Sequence, residues 1–217
     1  MDFVHLPEAV RNFAEAAISV FAIVNPIGAL PILIGLTDGF PPWERKRVLR
    51  LAGLMALTII CVMAMVGQYL LEGVFHISLS EFMFGGGLIL MVVGIRRILE
   101  AHDDEGEKKP MTPEERAKQG VSMAVSPIAS PLLVGPGSIV TVMLLVSKHG
   151  ILYGLAACLA AFVFVLLLLN YVDFAFRLMG RLGALAVGRI MEIFIVAIGA
   201  HFVFSAVKQV FPGLTGP

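Results

Sequence analysis

Apolar residues run in long blocks along this chain, and the polar residues gather in short stretches between them. Six blocks, roughly 12–37, 48–71, 79–99, 119–147, 150–172 and 185–208, meet the length of about 20 residues that a helix needs to cross the hydrocarbon of a bilayer. Five hydrophilic connections separate them. The longest, "EAHDDEGEKKPMTPEERAKQG", mixes charges of both signs with Pro110 and Pro113 and reads as an exposed loop. The pattern predicts an all-α membrane protein with six transmembrane helices.

Composition agrees with the pattern. The chain is 58% hydrophobic and 15% charged, whereas soluble domains average about 45–50% and about 25%. Sixteen basic residues balance sixteen acidic ones, so no overall positive field points to nucleic acid. Cys61 and Cys158 stand apart in apolar runs, as small buried residues do, and not in a disulfide or metal spacing. The acidic opening "MDFVHLPEAVRNFAEA" lacks the basic n-region of a cleaved signal, so the first apolar block is expected to stay.

Charge placement sets an expected orientation. Arg45, Lys46, Arg47 and Arg50 follow the first block. Arg96, Arg97, Lys108, Lys109, Arg116 and Lys118 follow the third, and Arg177, Arg181 and Arg189 follow the fifth. Only Arg11, Lys148 and Lys208 fall on the other side. The positive-inside rule then puts both termini outside the cytoplasm of a cell (inner or plasma) membrane.

The chain also repeats itself. "AIVNPIGALPILIG" (22–35) matches "MAVSPIASPLLVG" (123–135), with Pro26 and Pro127 offset by 101 and Pro31 and Pro131 by 100. "ILMVVGI" (89–95) aligns with "FIVAIGA" (194–200) at an offset of 105. These offsets divide the chain into a three-helix repeat at 1–99, a cytoplasmic loop at 100–118 and a second repeat at 119–217. With three spans each, the two repeats would insert in opposite directions.

Spans one and four carry residues that a straight helix does not tolerate. Asn25-Pro26 and Ser126-Pro127 each pair a favoured N-cap residue with proline at the first helical position, so both spans are expected to be broken near the midplane. Pro31, Pro131, Gly135, Pro136 and Gly137 are further break or gating candidates. Residues 119–147 as one helix would measure about 43 Å, more than the hydrocarbon thickness. Matched breaks in opposed repeats point to a transporter's binding site, the alternative being two simple proline kinks. The candidate substrate site is therefore Asn25, Pro26, Ile27, Gly28 and Ala29 with Ser126, Pro127, Ile128, Ala129 and Ser130. Free N–H groups at 27–29 and 128–130 would hold a carboxylate, and carbonyls at 21–24 and 121–125 an ammonium. With no Asp, Glu, Lys or Arg at either break, a zwitterion fits better than a substrate of net charge.

"NPIGALPILIGLT", "SPIASPLLVGPGSIVTVMLL" and "FGGGLILMVVGI", in a six-span chain of this length, resemble the MarC/SnatA family of membrane proteins. The resemblance covers essentially the whole chain. It implies an inverted-repeat carrier of small neutral amino acids such as glycine and alanine, with export as one direction. A typical second motif of that family has a hydrophobic residue before its Pro-Leu-Leu, where this chain has Ser130.

Few ionisable residues lie within the blocks. Glu15 is near a boundary and Asp173 near an end. Glu192 follows Arg189 by three residues, a spacing for a local ion pair, and is otherwise a candidate for coupling to H+ or Na+. His201 is the second coupling candidate. "GGG" at 85–87 suits close helix packing. The histidines form no metal spacing, no cofactor loop is present, and neither a nucleophile elbow nor paired intramembrane acids suggest an enzyme. A channel would need a charged ring or a carbonyl filter, and a non-transporting scaffold would have no use for matched breaks. The expected partners are the bilayer and a small neutral amino acid. In intact cells a cysteine placed at position 108 should resist an impermeant thiol reagent and react only after permeabilisation; labelling from outside would reverse the orientation.

Overall fold

The computed structural model of the chain describes residues 7–37, 39–99 and 113–211. The described residues are mostly helical, with no strand among them. Helix α1 spans Glu8–Val24, α2 Leu30–Leu36, α3 Pro42–Gln68, α4 Leu79–Leu99, α5 Pro113–Met123, α6 Pro136–His149, α7 Ile151–Asn170 and α8 Val172–Val210. α3 runs on as wider π-helical turns over Tyr69–Phe75, and an interrupted stretch, Ala124–Leu133, joins α5 to α6.

Among the described residues four helical segments are long and apolar enough to cross a bilayer: Pro42–Phe75, Leu79–Arg96, Ile151–Asn170 and Ala186–Val210. They correspond to the second, third, fifth and sixth blocks. The first and fourth blocks are divided into shorter pieces, α1 with α2 and α5 with α6. The loop at 100–118 falls mostly outside the described residues, which resume at Pro113.

Local chemistry explains the helix ends. Pro42 opens α3, where its missing N–H costs nothing, and the Glu44 and Arg45 N–H groups close onto the Pro41 carbonyl. His76 takes a left-handed conformation after the π-helical turns, and the Ile77 N–H returns to Leu71 O at 2.8 Å. Ser78 and Glu81 then form a reciprocal capping box: the Glu81 carboxylate accepts from the Ser78 N–H at 2.7 Å, and the Ser78 hydroxyl accepts from the Glu81 N–H at 3.2 Å. Gly180, at φ 66°, breaks α8 near its start.

Packing follows the rule for lipid, where chains gain little from burying apolar area and helices associate through close van der Waals fit. α3 turns Ala52, Ala56, Ile60 and Ala64, spaced at four, inward with Ala157, Cys158, Ala161, Phe162 and Val165 of α7. The main buried cluster also takes in Val24, Ala29 and Leu33 from the first block and Ala124, Ile128, Ala129 and Leu133 from the fourth. Large apolar residues such as Leu54, Met65, Leu159, Phe164 and Phe194 face outward, as a lipid-facing surface requires.

α4 and α8 pack along their length in opposite directions. Ser80 bonds Gln209, Gly87 meets Gly199, Gly94 meets Val196, and Arg189 donates to the Ile98 carbonyl, so one number falls as the other rises. A Cβ on Gly87 would lie 2.6 Å from the Gly199 carbonyl oxygen, and one on Gly199 would lie 2.7 Å from that of Gly87. At the charged end of the bundle, Arg45 ties three elements together. It pairs with Asp173 at 2.6 Å and donates to the Thr37 carbonyl at 3.3 Å. Arg50 reaches Asn170 nearby, at 2.9 Å.

The glycine run can be tested position by position. A Cβ on Gly85 meets nothing within 4 Å. Gly87→Val should lower stability in detergent by about 1–3 kcal/mol through overpacking. Gly85→Ala should leave it unchanged or raise it by about 0.5–1 kcal/mol. Thermal unfolding of the two variants side by side decides it, and equal melting would remove the close-packing account.

Candidate functional site

At the first break the chain leaves the helix through asparagine. Asn25 ends α1 at φ 48°, ψ 53°, a left-handed conformation that Asn accepts more readily than most residues. Its N–H still bonds the Phe21 carbonyl at 3.0 Å. Its side-chain Oδ1 accepts from the Gly28 N–H at 3.1 Å, and its carbonyl accepts from the Ala29 N–H at 3.2 Å. Pro26 has no N–H to satisfy. One buried residue, 8% exposed, therefore satisfies two N–H groups of the turn, those of Gly28 and Ala29. α2 starts at Leu30 with Pro31 in its first turn.

This corrects two expectations. Asn25 closes α1 instead of capping a helix that begins at Pro26, and the Gly28 and Ala29 N–H groups are engaged and not free for a carboxylate. α2 is also only seven residues long, too short for a useful dipole. Gly28 is where it is because a Cβ there would lie 2.4 Å from Asn25 Nδ2. Its carbonyl oxygen turns toward α8, 3.7 Å from where a Cβ of Gly188 would stand.

The second break obeys a different rule. Ser126 and Ser130 are extended, at φ −142°, ψ 125° and φ −140°, ψ 128°. Each precedes a proline, Pro127 and Pro131, whose ring drives the preceding residue out of helical space. Two such residues four apart leave no room for a half-helix starting at Pro127, so that expected N-terminus is absent. The Val134 N–H reaches back to Ala129 O at 2.9 Å. The intact restart is α6, with Gly135 extended before it, Pro136 at its first position, and the Ser138 hydroxyl donating to Gly135 O at 2.9 Å. Ser126 and Ser130 are exposed, while Ile128 and Ala129 are buried with Ala29 in the main cluster. The buried apolar members of the two breaks thus share one core, and the two serines do not join it.

The coupling candidates separate clearly. Glu192 does not pair with Arg189, whose guanidinium donates to the Ile98 carbonyl across the α4–α8 contact. Glu192 is 5% exposed and its Oε2 has no hydrogen-bond partner. His201 is exposed, 3.4 Å from the Ser205 hydroxyl. It lines a lateral groove of about 360 Å³ with Ser19 and Ile23 of α1, Thr141 and Lys148 of α6 and Phe202 of α8. No motif points to this groove, because its polar members are scattered over three helices.

Residues 10–211 match a family model described as MarC family integral membrane protein. A UPF0056 membrane protein of Methanocaldococcus jannaschii is 31% identical over 91% of this chain and 97% of its own length. The UPF0056 membrane protein YvbG of Bacillus subtilis is 27% identical over 91% of this chain and 95% of its own, and YhcE of Escherichia coli 27% over 91% and 92%. No solved structure matches.

The role of Asn25 can be measured. Asn25→Gly keeps the left-handed backbone and loses only the side-chain bond, about 0.5–1.5 kcal/mol. Asn25→Ala adds the left-handed penalty of about 1–2 kcal/mol. The alanine variant should therefore melt below the glycine variant in detergent, and the reverse order would show that the left-handed turn is not the constraint.

Proposed function

The chain belongs to the MarC family of integral membrane proteins, and from that premise we propose that it is a carrier of small neutral amino acids such as glycine and alanine. It works by alternating access between two inverted three-helix repeats, in a cell membrane with both termini outside. The observation that carries the reading is the pair of uncharged interruptions, one in each half, whose buried residues Ala29, Ile128 and Ala129 meet in one core. A multi-pass protein keeps such interruptions at a cost in backbone order, and lining a binding site gives them a purpose. The opposed directions of α4 and α8 agree with repeats inserted head to tail. The resemblance met in the sequence names the substrate class.

In this carrier the substrate carboxylate is held by the start of α6 around Gly135, Pro136 and Gly137, a helix of fourteen residues that begins at the second break. The polar groups of Asn25 and the exposed Ser126 and Ser130 complete the contacts. The small side chains of Gly28, Ala29 and Ala129 limit substrate size. Proteoliposomes holding the purified protein should take up radiolabelled glycine saturably, with alanine competing. In a background with Cys61 and Cys158 replaced by alanine, thiol labelling of Ser126→Cys or Ser130→Cys should slow several-fold when glycine is present. Absence of saturable flux would end the carrier reading, and flux without protection at either position would move the site elsewhere.

A further inference from the structure

The buried face of α8 carries Gly188, Glu192, Gly199, Phe202 and Ala206, at spacings of one or two turns. Every member but one is small or apolar. Glu192 lies within the apolar Ala186–Val210 segment, 5% exposed, and its Oε2 has no partner among the described residues. Side chains on a helix lean toward its N-terminus, so this carboxyl covers the turn toward Gly188. The Gly28 carbonyl of the first break comes up to α8 at Gly188. The turn of α8 that this carboxyl covers is thus the one that the Gly28 carbonyl approaches, and no described residue donates to Glu192 Oε2.

Among the described side chains none donates to Glu192 Oε2. α2 has no titratable residue, and α7 brings only Tyr153 and Cys158. On α4, Gly94 faces the Glu192 backbone, its Cβ position 3.4 Å from that carbonyl; Arg96, which is exposed, and Arg97 follow it in sequence. On α8 itself Arg189 is exposed and bonded to Ile98. A bare carboxylate in a low-dielectric interior is strongly disfavoured, so such a group is kept in membranes where a cation visits it.

We infer that Glu192 is an exchange site, occupied in turn by a proton and by the ammonium group of the amino acid, which makes the protein a proton/amino acid antiporter. The inference rests on the carrier reading and deepens it. Both cations require the same bare oxygen, so they exclude each other. Binding an amino acid to the protonated protein releases one proton, and rebinding of a proton on the other side expels the amino acid. No bond other than O–H is made or broken. With the proton gradient directed inward, as in respiring cells, such a cycle moves substrate out.

Purified protein in weakly buffered detergent should release protons when glycine is added. Its apparent glycine affinity should fall up to tenfold per pH unit in the acid range. Glu192→Gln should weaken glycine binding at least tenfold and abolish proton release, with Glu192→Asp restoring part of both. Dicyclohexylcarbodiimide, which attacks protonated carboxyls in apolar surroundings, should label Glu192 of the unaltered protein, and glycine should slow the labelling. This last measurement decides the matter even where the glutamine variant fails to insert. Glycine binding without proton release, unchanged in Glu192→Gln, or replaced by dependence on sodium, overturns the antiport inference and leaves the carrier standing. An unaltered protein that binds no glycine at all overturns the carrier reading instead.

Discussion

The backbone of a membrane protein must satisfy its own polar groups, because the hydrocarbon offers no water to an exposed N–H or C=O. A continuous helix meets this condition by construction, and four segments here do so. The first and fourth blocks give it up and must find local substitutes. At the first break one asparagine supplies them: its backbone ends α1, its side chain takes the Gly28 N–H and its carbonyl takes that of Ala29. At the second the solution is prolines, which have no N–H to satisfy, together with a long return bond from Val134 to Ala129 and the Ser138 hydroxyl on Gly135. The interruptions are closed turns with their own hydrogen bonds, not frayed helix ends.

The same condition decides which helices carry the frame. α4 and α8 come together closely enough for the carbonyls of Gly87 and Gly199 to sit where side chains would otherwise be. α3 and α7 fit through alanines and one phenylalanine. Such contacts are specific in register, since a single methyl group on Gly87 collides with backbone that cannot step aside. Around this frame the broken segments have neighbours that do not depend on their own continuity, which is what a moving element within a rigid bundle requires.

Much of this was legible in the residues. The apolar blocks placed the membrane-crossing segments of the third, fifth and sixth spans to within a few residues and that of the second to within six, because length and hydropathy alone decide them, whereas α8 begins well before its block, at Val172. The sites of interruption were legible too, since Asn25-Pro26, Ser126-Pro127 and Pro136 advertise them. Their geometry was not. Pattern alone could not tell whether Asn25 would end one helix or begin the next, as the residue favours both an N-cap and a left-handed C-cap. That Ser130 would be as extended as Ser126 follows from Pro131, and it removes the short helix that a reading of Pro127 alone suggests. The partner of Arg189 lay beyond sequence reasoning, because the Ile98 carbonyl is 91 residues away. Its capture of Arg189 left Glu192 unpaired.

That capture has a physical consequence for the whole of α8. Had Arg189 turned to Glu192, the helix would carry a neutral pair three residues apart. By donating to Ile98 instead, Arg189 pins α8 to α4 at the charged end of the bundle, where Arg45 and Asp173 also join the two halves. The Gly28 carbonyl of the first break comes up to α8 at Gly188, one turn before Glu192. The break at Asn25 and the turn of α8 that leads to Glu192, far apart in the chain, are thereby brought together at a single contact.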